Sequence, residues 1–220
     1  MGQYRCNLTG DYLFAKVSAL LADIGREAVR LQAHTFERLV IGQIMETQGP
    51  NEGQDPLEHY LSVVADKTGS LISASARFGA MVSGAPTEVK ETLTVFGEKI
   101  GVAFQLADDV IDIASESFES GKTPGTDLRE GVPTLVTLNV IAMNRPEDAR
   151  LISLLKAPIK DEDVVQEVLK TLRSHPALDL SRQQMLKYAH DARAALGPLP
   201  VGDVTGALYS LCDAIIDRTA

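Results

Sequence analysis

An all-α fold is predicted by three features of this sequence. Apolar residues recur at i, i+3/i+4 and i+7 almost throughout, and alternating β-branched runs joined by hairpin turns are missing. A single periodic stretch also runs from just after Pro86 to about Ala114, roughly 42 Å of helix at 1.5 Å per residue. The 220 residues suffice for one large domain; 45% are apolar, 5% are aromatic and none is tryptophan, so the core is expected to be aliphatic. We read one domain over 1–220.

In chain order, Leu13, Val17, Leu20, Leu21 and Ile24 form a first stripe, and Leu39, Val40, Ile44 and Met45 extend a second helix. Asp11, just after Gly10, is expected to cap a helix start. A third helix opens at Pro56, a favoured first-turn residue, and runs toward Lys67; a fourth spans 70–83. After the long stretch ending near Ala114, SESFESGKTPGTDLREG (115–131) breaks the pattern and reads as a long, functional loop. Further helices are placed at 133–143, 146–156, 161–173, about 180–196 and 202–217, about nine in all. Asp161 is the expected N-cap of the helix it opens, with Glu162 and Asp163 favouring its dipole.

Charge excludes some function classes. With 21 basic against 30 acidic residues the net charge is −9, and no Lys/Arg run offers a patch for nucleic acid or an anionic membrane surface. No apolar run reaches the ~18 residues of a membrane span. Cys6 and Cys212, at opposite ends and without metal-ligand spacing, fit free thiols in a reducing cytoplasm.

The informative stretch is FQLADDVIDI, which sets Asp108, Asp109 and Asp112 among Phe104, Leu106, Val110 and Ile113. Asp108 and Asp112, at i and i+4, share a helix face, while Asp109 sits about 100° round. Buried and unpaired, each would cost several kcal/mol, roughly the desolvation penalty of an ion. They could line a solvated face or pair with arginines. Carboxylate oxygens one turn apart also suit Mg²⁺, which keeps its waters and completes its shell with phosphate. The loop that follows carries Lys122 and Asp127, and added cations there suit a bound polyanion.

FGEKIGVAFQLADDVIDI followed by GKTPGTDLREGVPTL resembles the second aspartate-rich region of trans-isoprenyl diphosphate synthases, the polyprenyl synthetase family. GDYLFA (10–15), GQIMET (42–47) and KTGSLI (67–72) resemble further blocks in the family's order and near its spacing. The resemblance implies an all-helical bundle around a deep central cavity, in which isopentenyl diphosphate attacks the carbocation of an ionised allylic diphosphate. It implies Mg²⁺ as cofactor, with Asp108 a direct ligand and Asp109 and Asp112 in its first or second coordination layer. Lys67 and Lys122 would hold the leaving diphosphate. Thr68 and Gln105 would offer oxygen dipoles to the developing cation, and Phe104 would pack near the homoallylic substrate. Gln43 is expected to be a hydrogen-bonded cavity residue.

Two departures from the family pattern matter. Only nine residues precede Gly10, where the family carries a first DDxxD motif and its isopentenyl-binding elements further upstream. The domain is therefore expected to be partial, its activity alone impaired, and its apolar surface prone to association as a homodimer or with a related subunit. A non-catalytic partner subunit is the alternative; a terpene cyclase is disfavoured by the KTG and GK…GTD blocks. Val132 stands where many short-chain members carry lysine, which hints at a medium or long product.

Overall fold

The computed structural model describes residues 2–115 and 123–218, and among these the regular elements are all helical. Helix α1 (Gly2–Ile24) turns at Gly25 into α2 (Arg26–Gln48). Gly25 has φ 124°, a conformation a side chain would strain. The two helices run antiparallel, with Phe14 against Phe36 at 4.8 Å and Gln32 Nε2 donating to Ser18 Oγ at 3.0 Å.

The apolar stripe of α1 faces outward rather than into a core. Of its five residues only Leu21 is buried, and Leu20 is 67% exposed. It looks outward together with Tyr12, Phe36, Val40, Ile41 and Ile44. The reason lies in α2, whose buried residues are Ala28, Thr35 and Gly42, spaced seven apart. These small side chains let α2 lie close on the helices beneath it, and the large ones are left outside. Asp11 sits inside α1 and caps no helix start, and Gln43 is exposed and bonded to Glu46 at 2.9 Å rather than facing a cavity.

Helices predicted as separate at 56–67 and 70–83 are one rod. Asp55 accepts from Leu57 N–H at 2.9 Å and starts α3 (Pro56–Val64), which passes through a single π-turn (Ala65–Gly69) into α4 (Ser70–Val82). The 28-residue α5 (Thr87–Ala114) is the spine. It packs against α4 and against α10 (Pro176–Ala195). Glycines allow the α4 side to approach: a Cβ on Gly101 would stand 2.8 Å from Gly69 Cα. One core joins Phe96, Ile100 and Leu106 of α5 to Met185 and Ala189 of α10 and Ile215 of α11 (Asp203–Asp217).

The end of α5 belongs to a second core. Val110 and Ile113 pack there with Leu128 of α6 (Thr126–Glu130), Val136 and Val140 of α7 (Leu135–Met143), and Leu169 and Leu172 of α9 (Glu162–Arg173). Thus the segment read as one long loop contains a short helix, bounded by Gly125 and Gly131 at φ 76° and 74°. A 3₁₀ turn (Pro146–Asp148) leads into α8 (Ala149–Leu154). Asp161 caps α9 as expected, accepting from Asp163 N–H at 2.9 Å. Helix α10 begins at Pro176 rather than near 180, because His175 accepts from Ala177 N–H at 3.0 Å through Nδ1 and so serves as its N-cap. That tautomer leaves Nε2 to donate to Asp148 Oδ2 at 3.0 Å. Arg145 holds the same carboxylate, and its bond lowers the Asp148 pKa to about 2.

Candidate active site

The three aspartates leave α5 in two directions. Asp109 points inward and is 4% exposed. Its Oδ2 accepts from the Tyr60 hydroxyl of α3 and from Leu135 N–H at 2.9 Å, and its Oδ1 accepts from Gln105 Nε2 at 3.3 Å. Burial raises its pKa to about 6, against the lowering pull of these donors. The Tyr60 hydroxyl is likewise driven well above its usual range by burial and by the Asp109 charge. Asp109 therefore ties α3, α5 and α7 together.

Asp108 and Asp112 share a face, as the i, i+4 spacing predicts, and line a cavity of about 450 Å³. Thr123, Pro124, Thr126, Asp127 and Arg218 complete much of its wall. Asp112 Oδ1 accepts from Thr126 N–H at 3.2 Å, and its backbone oxygen accepts from Gly125 N–H at 3.0 Å. Burial raises the Asp112 pKa, and the surrounding backbone N–H groups oppose that rise. Its second carboxylate oxygen, Oδ2, is buried without a hydrogen-bond partner. Such an orphaned acceptor is costly, and a cation is the partner its chemistry suits. Asp108 Oδ1 meets Arg218 Nη2 at 2.7 Å, and the same guanidinium stands 4.9 Å over the Phe104 ring. The pairing with arginine that the sequence allowed is thus realised for Asp108.

A second cavity of about 350 Å³ adjoins the first, sharing Gln105, Asp109 and Asp127 with it. It is lined by Lys67 and Thr68 of the π-turn, by His59, Tyr60 and Val63 of α3, and by Val132 and Leu138. Thr68 Oγ1 donates to Gln105 Oε1 at 3.2 Å, and Lys67 Nζ is held by Glu46 Oε2 at 2.6 Å. The fold therefore gathers Lys67, Thr68, Gln105 and the aspartate-rich turn around two joined cavities, with Phe104 at the edge beneath Arg218. Lys122 lies outside the described residues. Among the described residues no three His, Cys, Asp or Glu side chains form a ready metal cage. The residues present still fit a hard cation: two carboxylates on one face, one oxygen orphaned, and room for water and phosphate.

Tyr60, Glu46 and Arg218 carry no local signature of their part in this arrangement. Each reaches the site from a distant segment, Arg218 from 110 positions along the chain. Only the i, i+4 relation of Gln105 to Asp109 offered a local hint.

The sequence model of the family described as polyprenyl synthetase matches residues 1–172. This chain belongs to that family. Its relatives include the nonaprenyl diphosphate synthase of Mycobacterium tuberculosis, 49% identical over 213 residues, which cover 96% of this chain and 63% of that protein. The heptaprenyl diphosphate synthase component 2 of Geobacillus stearothermophilus is 31% identical over 92% of this chain and 63% of its own length. A geranylgeranyl pyrophosphate synthase from Corynebacterium glutamicum, in a crystal structure complexed with calcium and isoprenyl diphosphate, superposes with TM-score 0.87. It is 39% identical over 96% of this chain and 66% of that one. This polyprenyl synthetase family member thus spans somewhat less than two thirds of the curated relatives it matches most of its own length to. The all-α isoprenoid synthase fold read from the sequence is borne out by these neighbours.

Proposed function

We propose that this chain contributes to a prenyltransferase that condenses isopentenyl diphosphate with an allylic diphosphate, head to tail, in the presence of Mg²⁺. The observation that carries the reading is the orphaned Asp112 oxygen on the face it shares with Asp108, beside the cavity of Lys67, Thr68 and Gln105. Bound Mg²⁺ supplies charge neutralisation that eases departure of the diphosphate. Asp108 and Asp112 hold it, and Asp109 acts behind them as a fixed support. Lys67, on leaving Glu46, donates to the diphosphate oxygens. Thr68 donates its hydroxyl hydrogen bond to Gln105 Oε1, so its oxygen lone pairs are left as a preorganised dipole for an allylic cation. Lys122 is assigned a second diphosphate contact by resemblance alone, and Phe104 the neighbourhood of isopentenyl diphosphate. A cytoplasmic location rests on reading the cysteines as free thiols; separately, no helix among the described residues is long and apolar enough to cross a membrane.

Two carboxylates would hold a metal-bound diphosphate from one side only, so this chain alone is expected to condense slowly or not at all. The outward apolar residues of α1 and α2 support association with a second copy or a related subunit. That surface also supports a second reading, a non-catalytic partner of a complete synthase. The Geobacillus relative is component 2 of a heptaprenyl diphosphate synthase, which supports association with another subunit under either reading. The test incubates the chain with labelled isopentenyl diphosphate, an allylic diphosphate and Mg²⁺, alone and mixed with a complete prenyl diphosphate synthase. Product lost in the Asp108→Asn variant supports the first reading. Altered product length that survives Asp108→Asn supports the second. Absence of product alone, unchanged product on mixing, and failure to bind Mg²⁺-pyrophosphate would together refute both.

A further inference from the structure

Lys67 and Thr68 stand on the π-turn, a local widening of the helix that relaxes to ordinary α-helix unless something holds it. A one-residue change of register turns every following side chain by about 100° relative to those before it. Contacts from α2 and α5 hold this turn. The Ala65 carbonyl accepts the i+5 bond from Ser70 N–H and a further one from Arg38 Nη2 at 3.3 Å. Arg38 Nε donates to Asp66 Oδ1 at 2.8 Å, and the guanidinium's other edge grips Glu98 of α5, through Nη1 and through Nη2 at 3.2 Å. Gly42, one turn further along α2, brings that helix against the same residues: a Cβ there would stand 3.0 Å from Asp66 Cβ and Lys67 Cγ. Arg38 itself lines a separate cavity that shares no residue with the one at Lys67. Its cavity is lined by none of Gln105, Asp108, Asp109 and Asp112.

We propose that Arg38 is a positioning residue, whose guanidinium ties the π-turn to α5 and so fixes the direction in which Lys67 and Thr68 face the cavity. The inference rests on the reading of those two residues as diphosphate and cation contacts. A lysine cannot replace it fully, because only the planar fork reaches the carbonyl and both carboxylates at once.

The experiment compares wild type, Arg38→Lys, Arg38→Gln and Arg38→Gln/Glu98→Gln, each as the full chain. Hydrogen exchange is read at residues 65–69 against α5 and α10, and Mg²⁺-pyrophosphate binding by calorimetry. Arg38→Gln is expected to speed exchange at 65–69 by about tenfold or more while α10 is unchanged. Pyrophosphate affinity should fall by about tenfold, the equivalent of one or two charge-assisted hydrogen bonds. The double variant, which removes the uncompensated Glu98 charge, should remain defective. If it regains wild-type protection and affinity, the arginine is only a counter-charge and the proposal fails. Unchanged exchange at 65–69 in Arg38→Gln overturns it as well. Should Arg38→Gln not fold, Arg38→Lys decides, with exchange expected between wild type and fully opened. Wild type that fails to bind pyrophosphate refutes the proposed function instead, and the exchange measurement still judges the tie.

Discussion

Asp109→Asn isolates the structural aspartate from its two neighbours. Burial raises the Asp109 pKa from 3.8 to about 6, a difference of about 2.2 units or roughly 3 kcal/mol at 1.36 kcal/mol per unit. The folded carboxyl holds its proton more tightly than the unfolded one. Its contribution to stability is therefore greatest below about pH 4 and is lost as pH rises through about 6. Asparagine keeps an acceptor for Tyr60 and Leu135 N–H but cannot ionise. In metal-free buffer the wild type should lose stability relative to Asp109→Asn by up to about 3 kcal/mol between pH 4 and 7. Subtracting the two unfolding curves removes the opposite trend of Asp148, whose lowered pKa adds stability as pH rises. Urea denaturation at half-unit pH steps measures the difference. A difference that is flat across this range, or that grows in the other direction, would refute the reasoning.

Four further outcomes are expected. Gly101→Ala places a methyl 2.8 Å from Gly69 Cα and should destabilise the fold by about 1–3 kcal/mol in denaturant titration. His175→Ala removes the N-cap of α10 and should cost about 1 kcal/mol by the same measurement, with fraying localised to Ala177 and its neighbours in hydrogen exchange. Leu20→Glu, at a side chain 67% exposed, should leave folding stability within about 0.5 kcal/mol yet weaken self-association in sedimentation velocity. Arg218→Gln removes a guanidinium 2.7 Å from Asp108 and should tighten Ca²⁺ or Mg²⁺ binding by about two- to fivefold, the scale of a half-exposed ion pair. Unchanged affinity would show that arginine and metal do not compete.

Local signals located the elements well wherever one residue type decides the geometry. Pro56, Pro86 and Asp161 mark helix starts that the structure bears out within a residue or two. His175 was overlooked as a cap because imidazole seldom fills that position, although Pro176 after it was a usable sign. Periodicity marks α1 and α2 as helices but not the face that docks, because docking through Ala28, Thr35 and Gly42 depends on closeness of backbones, which apolar patterning does not register. The π-turn likewise leaves no trace in spacing, since it needs Arg38 and Glu98 from other helices. In the site, the shared face of Asp108 and Asp112 followed from helical geometry alone. The inward turn of Asp109 did not, because Tyr60 and Leu135 that draw it in come from elsewhere in the chain.

The two oxygens of Asp112 are unequally occupied, one engaged by Thr126 N–H and the other idle. An incoming ion that rotates this carboxylate must lengthen or break the bond to Thr126. The tether through the Asp112 backbone to Gly125 would persist, since it does not depend on the side chain. Cation uptake that turned this carboxylate would be coupled to the conformation at the start of α6 through one torsion angle. The cavity wall beside Asp127 would answer to the ion rather than merely enclose it.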